Sequence, residues 1–188
     1  MKNIYFAIFI IILFCSCKSY KEITINENNI YNYIIMNDIS NCIYRDSLKN
    51  VCIYNRNTIV KLGLFKNPIK DLLVDSIYFS LLKKIISINS KENIIKPLIN
   101  SDNKNIKIII IKRNEKNKIN FLEDFSNNYP HSLGLIKFSK PVFTSDYNIA
   151  FIYRTKTLGP LSGIGEFFIL KKEKNKWKII YRETMWVS

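Results

Sequence analysis

Histidine and glycine are scarce in this chain of 188 residues, which contains one histidine and five glycines. Structural zinc is usually held by four Cys or His side chains, and two of the four cysteines lie in the amino-terminal segment, far along the chain from His131. The glycines cluster only at Gly159–Gly165, which lacks the Lys-Ser/Thr pair of a phosphate-binding loop and precedes a predicted strand rather than a helix. The sequence therefore predicts turn geometry at these glycines, no metal and no cofactor.

Alanine and acidic residues are also scarce. Alanine occurs only at Ala7 and Ala150, whereas isoleucine, asparagine and lysine dominate, which is typical of AT-rich codon usage. Such usage raises the lysine content without selection for an acidic partner, so the net charge of +14 supports nucleic-acid binding only weakly. No nucleic-acid-binding module accompanies the charge, and we expect no nucleic-acid partner.

Two short basic runs stand out, at residues 104–118 and 171–178. The pattern of each favours a solvated loop or hairpin tip, with a polyanion site as the less favoured interpretation. Attraction to anionic lipid headgroups, worth about 1 kcal/mol per lysine near a charged surface, is an auxiliary effect that the composition allows.

The chain lacks an apolar run of the roughly 20 residues that a transmembrane helix needs. Its main apolar run, Ile4–Phe14, is shorter and follows the positively charged Lys2, which is typical of a secretory signal peptide. With 47% hydrophobic and 23% charged residues, the rest of the chain is expected to form one ordinary domain.

The apolar run ends in Leu13-Phe14-Cys15-Ser16-Cys17, which resembles the lipobox of bacterial prolipoproteins, a small residue followed by the lipidated cysteine. The resemblance implies cleavage between Ser16 and Cys17, a diacylglyceryl group on the Cys17 sulfur, and a further acyl chain such as palmitate on the new amino group. Cys15 is a weaker rival because the bulky Phe14 precedes it. Two or three chains anchor a protein stably, whereas a single chain is marginal.

The lipobox divides the chain into a signal peptide at residues 1–16, a lipidated cysteine and tether at 17–25, and a single α+β domain at 26–188. Lys18 stands where an aspartate favours inner-membrane retention in lipoproteins, so we expect anchoring in the outer membrane, with the domain facing the periplasm or the cell surface. The expected partners are the membrane, through the lipid, and an envelope protein.

Two further cysteines, Cys42 and Cys52, would lie in an envelope compartment where disulfides persist. The segment between them can fold back through a turn near residues 46–50. A disulfide closing so short a loop would contribute about 2–3 kcal/mol in the chain-entropy model. The alternative is two buried free thiols, and the sequence leaves both open.

Hydrophobic spacing predicts a short helix over Asn26–Asn37 and either a helix or an apolar strand over Asp75–Ile88. Ile106–Ile111 is predicted to be a buried strand, and Asn120–Asn127 one or two helical turns. We therefore expect an α+β fold in which short helices pack on a sheet.

The sheet is predicted to be an antiparallel β-meander formed mainly by the carboxy-terminal half, because short β-branched or aromatic segments alternate there with turn residues. Asn175 is predicted to occupy the tight turn before the last strand. The strand segments are Leu135–Phe138, Ile149–Tyr153, Glu166–Lys171 and Trp177–Tyr181.

A motif pattern runs through roughly residues 121–188. Gly163-Ile164-Gly165 precedes one predicted strand, Lys176-Trp177-Lys178-Ile179 begins the next, and Trp186-Val187-Ser188 follows. With Tyr129-Pro130 and Ser132-Leu133-Gly134 upstream, this pattern resembles a group of uncharacterised bacterial envelope lipoproteins. The resemblance implies an α+β fold with the meander as the carboxy-terminal sheet, and it implies no activity, ligand or catalytic residue.

His131 is the candidate general base, and Glu123 or Asp124 could orient it if the preceding segment folds back. No Gly-x-Ser-x-Gly or His-Glu-x-x-His motif accompanies it, and a Pro-His-Ser turn is more often a surface cap. No residue is therefore assigned a catalytic role.

Trp177 and Trp186 either line the floor of a ligand groove with Tyr153 and Phe168 or belong to the core. Their odd separation places them on opposite faces of an unbroken strand. We expect Trp177 inside and Trp186 nearer an edge.

The leading hypothesis is a lipid-anchored envelope protein with a non-enzymatic binding or structural role. One rival is a small-ligand binding module that uses the face of Trp177 and Tyr153. The other is an envelope hydrolase that works through His131 and neighbouring carboxylates.

Overall fold

A computed structural model describes residues 22–42, 50–61, 76–95, 99, 106–112, 125, 127–159 and 161–188. The predicted signal peptide, the cleavage position at Ser16 and the anchor at Cys17 lie outside these ranges, as do Glu123 and Asp124. Among the described residues, no helix is both long enough and apolar enough to cross a membrane.

The described residues form a seven-stranded mixed sheet. Six strands lie side by side in the order β2-β1-β3-β5-β6-β7, and β4 pairs with β5 beside this row. The strands are β1 (Asn50–Tyr54), β2 (Lys107–Ile111), β3 (Ser132–Phe138), β4 (Val142–Phe143), β5 (Ile149–Gly159), β6 (Ser162–Glu173) and β7 (Lys176–Val187).

The carboxy-terminal strands form the predicted meander. β3 pairs with β5, β5 with β6 and β6 with β7, and all three pairs are antiparallel. The turn between β6 and β7 consists of Lys174 and Asn175, whose φ angles are 47° and 62°. Two positive φ angles are the type I′ geometry that joins twisted strands. The α+β class, the meander and the turn at Asn175 are confirmed.

The amino-terminal strands add a parallel part that was not predicted. β1 lies between β2 and β3 and is parallel to both. The strand predicted at Ile106–Ile111 is present as β2, but it is only partly buried. Ile106 and Ile111 are buried, whereas Ile110 is 37% exposed, because β2 lies at the sheet edge.

The first helix, α1, covers residues 22–40 of the described chain and is longer than the predicted Asn26–Asn37. It includes residues 22–25, which the sequence assigned to the tether. Ile23 lies seven residues before Ile30 and is half-buried, so it continues the apolar stripe that faces the protein. The extra helical turn therefore has a packing reason.

The second helix, α2 (Ser76–Ile88), resolves the ambiguity over Asp75–Ile88. Leu81, Leu82 and Ile85 are buried at helical rather than alternating spacing. This segment packs against β4 and β5 rather than joining the sheet.

The helices cover opposite faces of the sheet, which gives three layers. Along β5, Ala150 and Ile152 point toward the α1 cluster, whereas Phe151 and Tyr153 point toward the α2 cluster. On the α2 side, a helical turn at Phe125 covers part of β1, β2 and β3. That turn overlaps the predicted Asn120–Asn127 helical segment, whose remaining residues, apart from Asn127, lie outside the described ranges.

Gly163 and Gly165 lie within β6 rather than in the turn that the sequence assigned to them. A Cβ atom at Gly165 would overlap Trp186 Nε1 and the Tyr153 hydroxyl. Only glycine permits this approach, so Gly165 serves side-chain packing across the strands.

Candidate functional site

A cleft of about 340 Å³ lies at the end of the sheet where β3 and β6 end and β5 begins. Three charged side chains, Glu27 of α1, Lys84 of α2 and Lys140 of the β3–β4 connection, line it. The other lining residues are mainly apolar or hydroxylated: Ile23, Ile88, Pro141, Val142, Phe143, Thr144, Ser145 and Tyr147.

Asn89 holds α2 and the β3–β4 connection together at this cleft. Its amide nitrogen donates to the carbonyls of Ile85, at 2.9 Å, and of Lys140, at 3.0 Å. Its amide oxygen accepts from the Lys140 backbone N–H at 2.7 Å and from the Asn57 amide at 2.8 Å. Because Asn89 is fully buried, these bonds fix the backbone position of Lys140.

The loop between β4 and β5 forms the opposite wall. The Thr144 hydroxyl donates to Asp146 at 2.5 Å and accepts from the Ile149 backbone N–H at 3.1 Å. The Asn148 backbone N–H donates to Asp146 at 3.1 Å. The hydrogen bonds from Thr144 and Asn148 hold the pKa of Asp146 below its usual value. The loop is thus braced by its own polar side chains.

Glu27 is the chemically distinct group in the cleft. Burial raises the pKa of its carboxyl, and the charge of Lys140 offsets part of that effect. In the described part of the chain, Glu27 forms no ion pair, whereas Lys84 donates to the Phe143 carbonyl at 3.3 Å. A desolvated carboxyl beside a cavity can accept hydrogen bonds from a ligand or exchange a proton. Among the described residues, no group of three His, Cys, Asp or Glu side chains could hold a metal.

A second polar centre is buried between α1 and the sheet. Arg154 of β5 is fully buried and forms ion pairs with Asp38 of α1 and Glu166 of β6. Arg182 of β7 contacts the other oxygen of Glu166 through Nε, at 2.8 Å, and through Nη2, at 2.5 Å. The guanidinium of Arg154 also lies 5.0 Å from the centre of the Phe168 ring.

The charges of this centre balance. Burial alone would raise the pKa of Glu166, but Arg154 and Arg182 together outweigh burial and lower it. The two arginines face two carboxylates, Asp38 and Glu166, and each carboxylate is paired. This set of ion pairs joins α1 to the sheet.

The sequence did contain a signal for part of this centre. Arg154 shares its face of β5 with Ala150 and Ile152, which belong to the apolar core. A charge at a core position requires a partner, and Glu166 is directly opposite in the β5–β6 register. Asp38 was not predictable in this way, because it lies 116 residues from Arg154.

His131 is exposed in the turn before β3, where its φ is 56°. The small depression beside it, of about 140 Å³, is lined by Phe125, Tyr129, Pro130, Ser132, Gly134 and Leu158, and none of these carries a carboxylate. The described residues therefore place no orienting acid at His131.

The predicted ligand groove is split between the two faces of the sheet. Trp177 and Phe168 pack on the α1 side, and Tyr153 packs on the α2 side. Trp186 donates to the Tyr153 hydroxyl at 2.6 Å. The predicted face shared by Trp177 and Tyr153 is therefore wrong. Tyr153 is opposite Phe167 of β6 and Trp177 is opposite Lys172 of β6. These two β6 residues are an odd number of positions apart, so their side chains lie on opposite faces of the sheet.

The predicted burial of Trp177 is confirmed, because this residue is 4% exposed and belongs to the cluster on the α1 side. Trp186 is half-buried, but both tryptophans belong to the edge strand β7, so distance from the sheet edge does not distinguish them. β7 contains two bulges where it pairs with β6. Each bulge adds one residue to β7, so the first reverses which face its side chains occupy and the second restores it.

Cys42 and Cys52 are free thiols in the structure. Cys52 is fully buried in β1, and burial raises the pKa of its thiol to about 12. Cys42 follows α1 and is only half-buried. A buried thiol with a raised pKa is a poor nucleophile, so Cys52 belongs to the core.

Comparisons with protein-family models, curated proteins and solved structures give no match for this chain. The fold itself defines the class of the protein, which is an α+β protein with a mixed sheet between two helical layers.

Proposed function

We propose that the chain is a lipid-anchored envelope protein of the outer membrane, with an α+β domain in a non-enzymatic binding or structural role. The Ser16-Cys17 pair behind the apolar run Ile4–Phe14 carries this proposal. A thiol is required there because lipid transfer places the diacylglyceryl group on sulfur before the peptide bond is cut. The resemblance of the carboxy-terminal motifs to envelope lipoproteins supports the same assignment.

The arrangement of polar groups supports a binding or structural role. The buried Arg154 and the exposed Arg182 pair with Asp38 and Glu166, and His131 lies at the surface in the turn before β3. A nucleophile, a base and an oxyanion site, which an envelope hydrolase needs together, are not grouped within the described ranges. The hydrolase alternative thus rests on His131 alone.

Metabolic labelling with a palmitate analogue tests the anchor. Wild-type protein and the matched control Cys15→Ser are expected to carry label and to fractionate with the outer membrane. Cys17→Ser is expected to lose the label and to accumulate uncleaved. Label that persists in Cys17→Ser and disappears in Cys15→Ser would move the anchor to Cys15, and a wild-type protein without label would refute the proposal.

A partner in the envelope is the second part of the proposal. Crosslinking in intact cells, followed by mass spectrometry, is expected to recover the same envelope protein from wild type and from His131→Ala. Loss of an associated phenotype in His131→Ala would instead favour the hydrolase.

The cleft at Glu27 favours one further candidate, a small-ligand binding module. Its volume suits a small polar molecule, and the carboxyl of Glu27 has no ion pair in the described structure. Amines and amino acids should raise the melting temperature of the wild-type protein but not of Glu27→Gln, with Glu92→Gln at an exposed position as the control. Equal shifts in all three proteins would exclude this site.

A further inference from the structure

The end of the sheet at which α1 begins also carries the tip of the β6–β7 hairpin. Asn26, in the second turn of the described part of α1, accepts a hydrogen bond from Lys172 of β6 at 3.2 Å. The backbone N–H of Lys172 in turn donates to the carbonyl of Asn148, beside the loop that forms the cleft. We call the segment Lys171–Lys178 the lysine tip.

The lysine tip has an excess of positive charge in water. It contains five lysines and one acidic residue, Glu173. Glu173 pairs with Lys178 at 2.8 Å, and Lys172 is held by Asn26. Within the described structure, Lys171, Lys174 and Lys176 form no ion pair. All three are exposed, so their charges face solvent.

The surroundings of the lysine tip are mixed in charge. Lys84 and Lys140 lie in the neighbouring cleft. The carboxyls at the same end are Glu22, Glu27 and Asp146. The lysine tip itself contains five lysines and one glutamate, so the positive excess lies on the hairpin. Ile25 of α1, which is 51% exposed, adds apolar surface near this end.

The chain connects this end to the proposed anchor over a short distance. Only four residues separate Cys17 from Glu22, the first described residue of α1. Five Cα–Cα steps span at most about 18 Å. If Cys17 is lipidated, the end of the domain that carries the lysine tip cannot lie far from the headgroups.

We propose that the lysine tip contacts the anionic phospholipid headgroups of the membrane that holds the anchor. This inference rests on the proposed lipid anchor for its geometry and on the hairpin's own charge for its chemistry. A lysine near an anionic surface strengthens binding about fivefold, and the effect fades within a Debye length of about 8 Å. The contact orients the domain with α1 rising from the membrane and β3 beginning at the far end.

Vesicle binding tests the contact without lipidation. The protein is the whole mature polypeptide, residues 17–188 with Cys17→Ser, mixed with vesicles of phosphatidylcholine with or without phosphatidylglycerol. Binding is expected only with phosphatidylglycerol and is expected to weaken as salt is added. Replacement of Lys171, Lys174 and Lys176 by Gln should reduce it on the order of a hundredfold.

The matched control removes the same charge elsewhere. Lys107→Gln and Lys156→Gln change the start of the edge strand β2 and the far half of β5, and Lys174→Gln with Lys176→Gln is the tip variant that loses the same two charges. The control pair should bind nearly as well as the parent, whereas the tip pair should bind about 25-fold more weakly, and circular dichroism checks that each variant is folded. Equal losses in the two double variants, or no binding of the parent to phosphatidylglycerol, would overturn the proposal.

The two proposals fail separately. Vesicle binding by the unlipidated chain does not depend on Cys17, so a negative result leaves the labelling experiment unaffected. Absence of label on Cys17 would remove the anchor but would not change the vesicle result.

Discussion

Glu166 and Glu27 are two carboxyl groups that the fold withdraws from water, and their surroundings move their pKa values in opposite directions. Glu166 meets Arg154 and Arg182, whose charges more than compensate for burial and lower its pKa. Burial raises the pKa of Glu27, and the charge of Lys140 offsets only part of that rise. Burial alone therefore does not determine the direction in which the pKa of a carboxyl shifts. The number and distance of the positively charged side chains beside it also decide that direction.

The comparison also separates two uses of polar residues. The Glu166 centre is closed and joins α1 to three strands through Asp38, Arg154 and Arg182. The Glu27 cleft is open and joins α1 to α2 and a loop, and among the described residues its carboxyl forms no ion pair. The first arrangement fixes the position of α1 on the sheet, and the second leaves a carboxyl facing a cavity. Four predictions test this difference, from the largest effect to the smallest.

Arg154→Met should cause the largest loss of stability. It leaves Asp38 without its partner and Glu166 with Arg182 alone, and breaking a buried ion pair costs about 3–5 kcal/mol. Urea unfolding measures the change. Lys156→Met, two residues along the same strand, is the control and should lower the free energy of unfolding much less. A loss below about 1 kcal/mol for Arg154→Met would show that the centre does not hold α1 on the sheet.

Arg182→Gln should have a smaller effect of about 1 kcal/mol, because its side chain is 46% exposed and water screens the pair. The pKa of Glu166 should rise toward its usual value in this variant. Urea unfolding and carboxyl NMR titration measure the two quantities. Lys178→Gln, which breaks the exposed pair with Glu173, serves as the comparison and should cost less.

The contributions of Glu166 and Glu27 to the free energy of unfolding should change in opposite directions as the pH rises. The folded pKa of Glu166 is lowered, so its contribution is complete above its unfolded pKa and is lost as pH falls through the folded value. The folded pKa of Glu27 is raised, so stability at that group is lost as pH rises through the folded value. Urea unfolding midpoints measured between pH 3 and pH 7 for wild type, Arg182→Gln and Glu27→Gln distinguish the contribution of Glu166 from that of Glu27.

In that series, Arg182→Gln should reduce the acid-induced loss that Glu166 contributes, because the folded pKa of Glu166 moves closer to its unfolded value. Glu27→Gln should leave the acid-induced loss in place and reduce the decline at higher pH. Identical pH profiles for wild type and both variants would refute the assignment of opposite shifts.

Glu27→Gln should have the smallest effect at neutral pH, a gain of less than about 1 kcal/mol, because the amide avoids the cost of a desolvated charge and solvent screens the rest. Thermal unfolding measures it, with Glu92→Gln as the exposed control. A marked loss of stability would mean that the Glu27 carboxylate is paired and that the cleft is closed like the Glu166 centre.

Local patterns predicted much of this fold. The meander followed from alternation and turn residues, and the turn at Asn175 followed from its tolerance of positive φ. Strand parity predicted that Trp177 and Trp186 lie on opposite faces, and they do. These features depend on residues that are close in sequence.

Other features depend on segments that are distant in sequence. The parallel pairing of β1 with β2 and β3 joins residues about 55 and 80 positions apart, and no local pattern specifies it. The Glu27 cleft needs α1, α2 and the 140–147 segment together. The proposed groove at Trp177 and Tyr153 was wrong because it treated two strands as one surface without their relative parity.

By itself, the sequence determined the α+β class, the meander and the tight turn at Asn175, and it identified Cys17 as the candidate anchor, because hydrophobic period, turn chemistry and a lipobox are all local. The tertiary structure alone decided which charged groups of the helices meet those of the sheet and its loops. Arg154 meets Asp38 and Glu27 meets Lys140 only after the helix docks on the sheet, and an electrostatic environment depends on distances in space rather than along the chain.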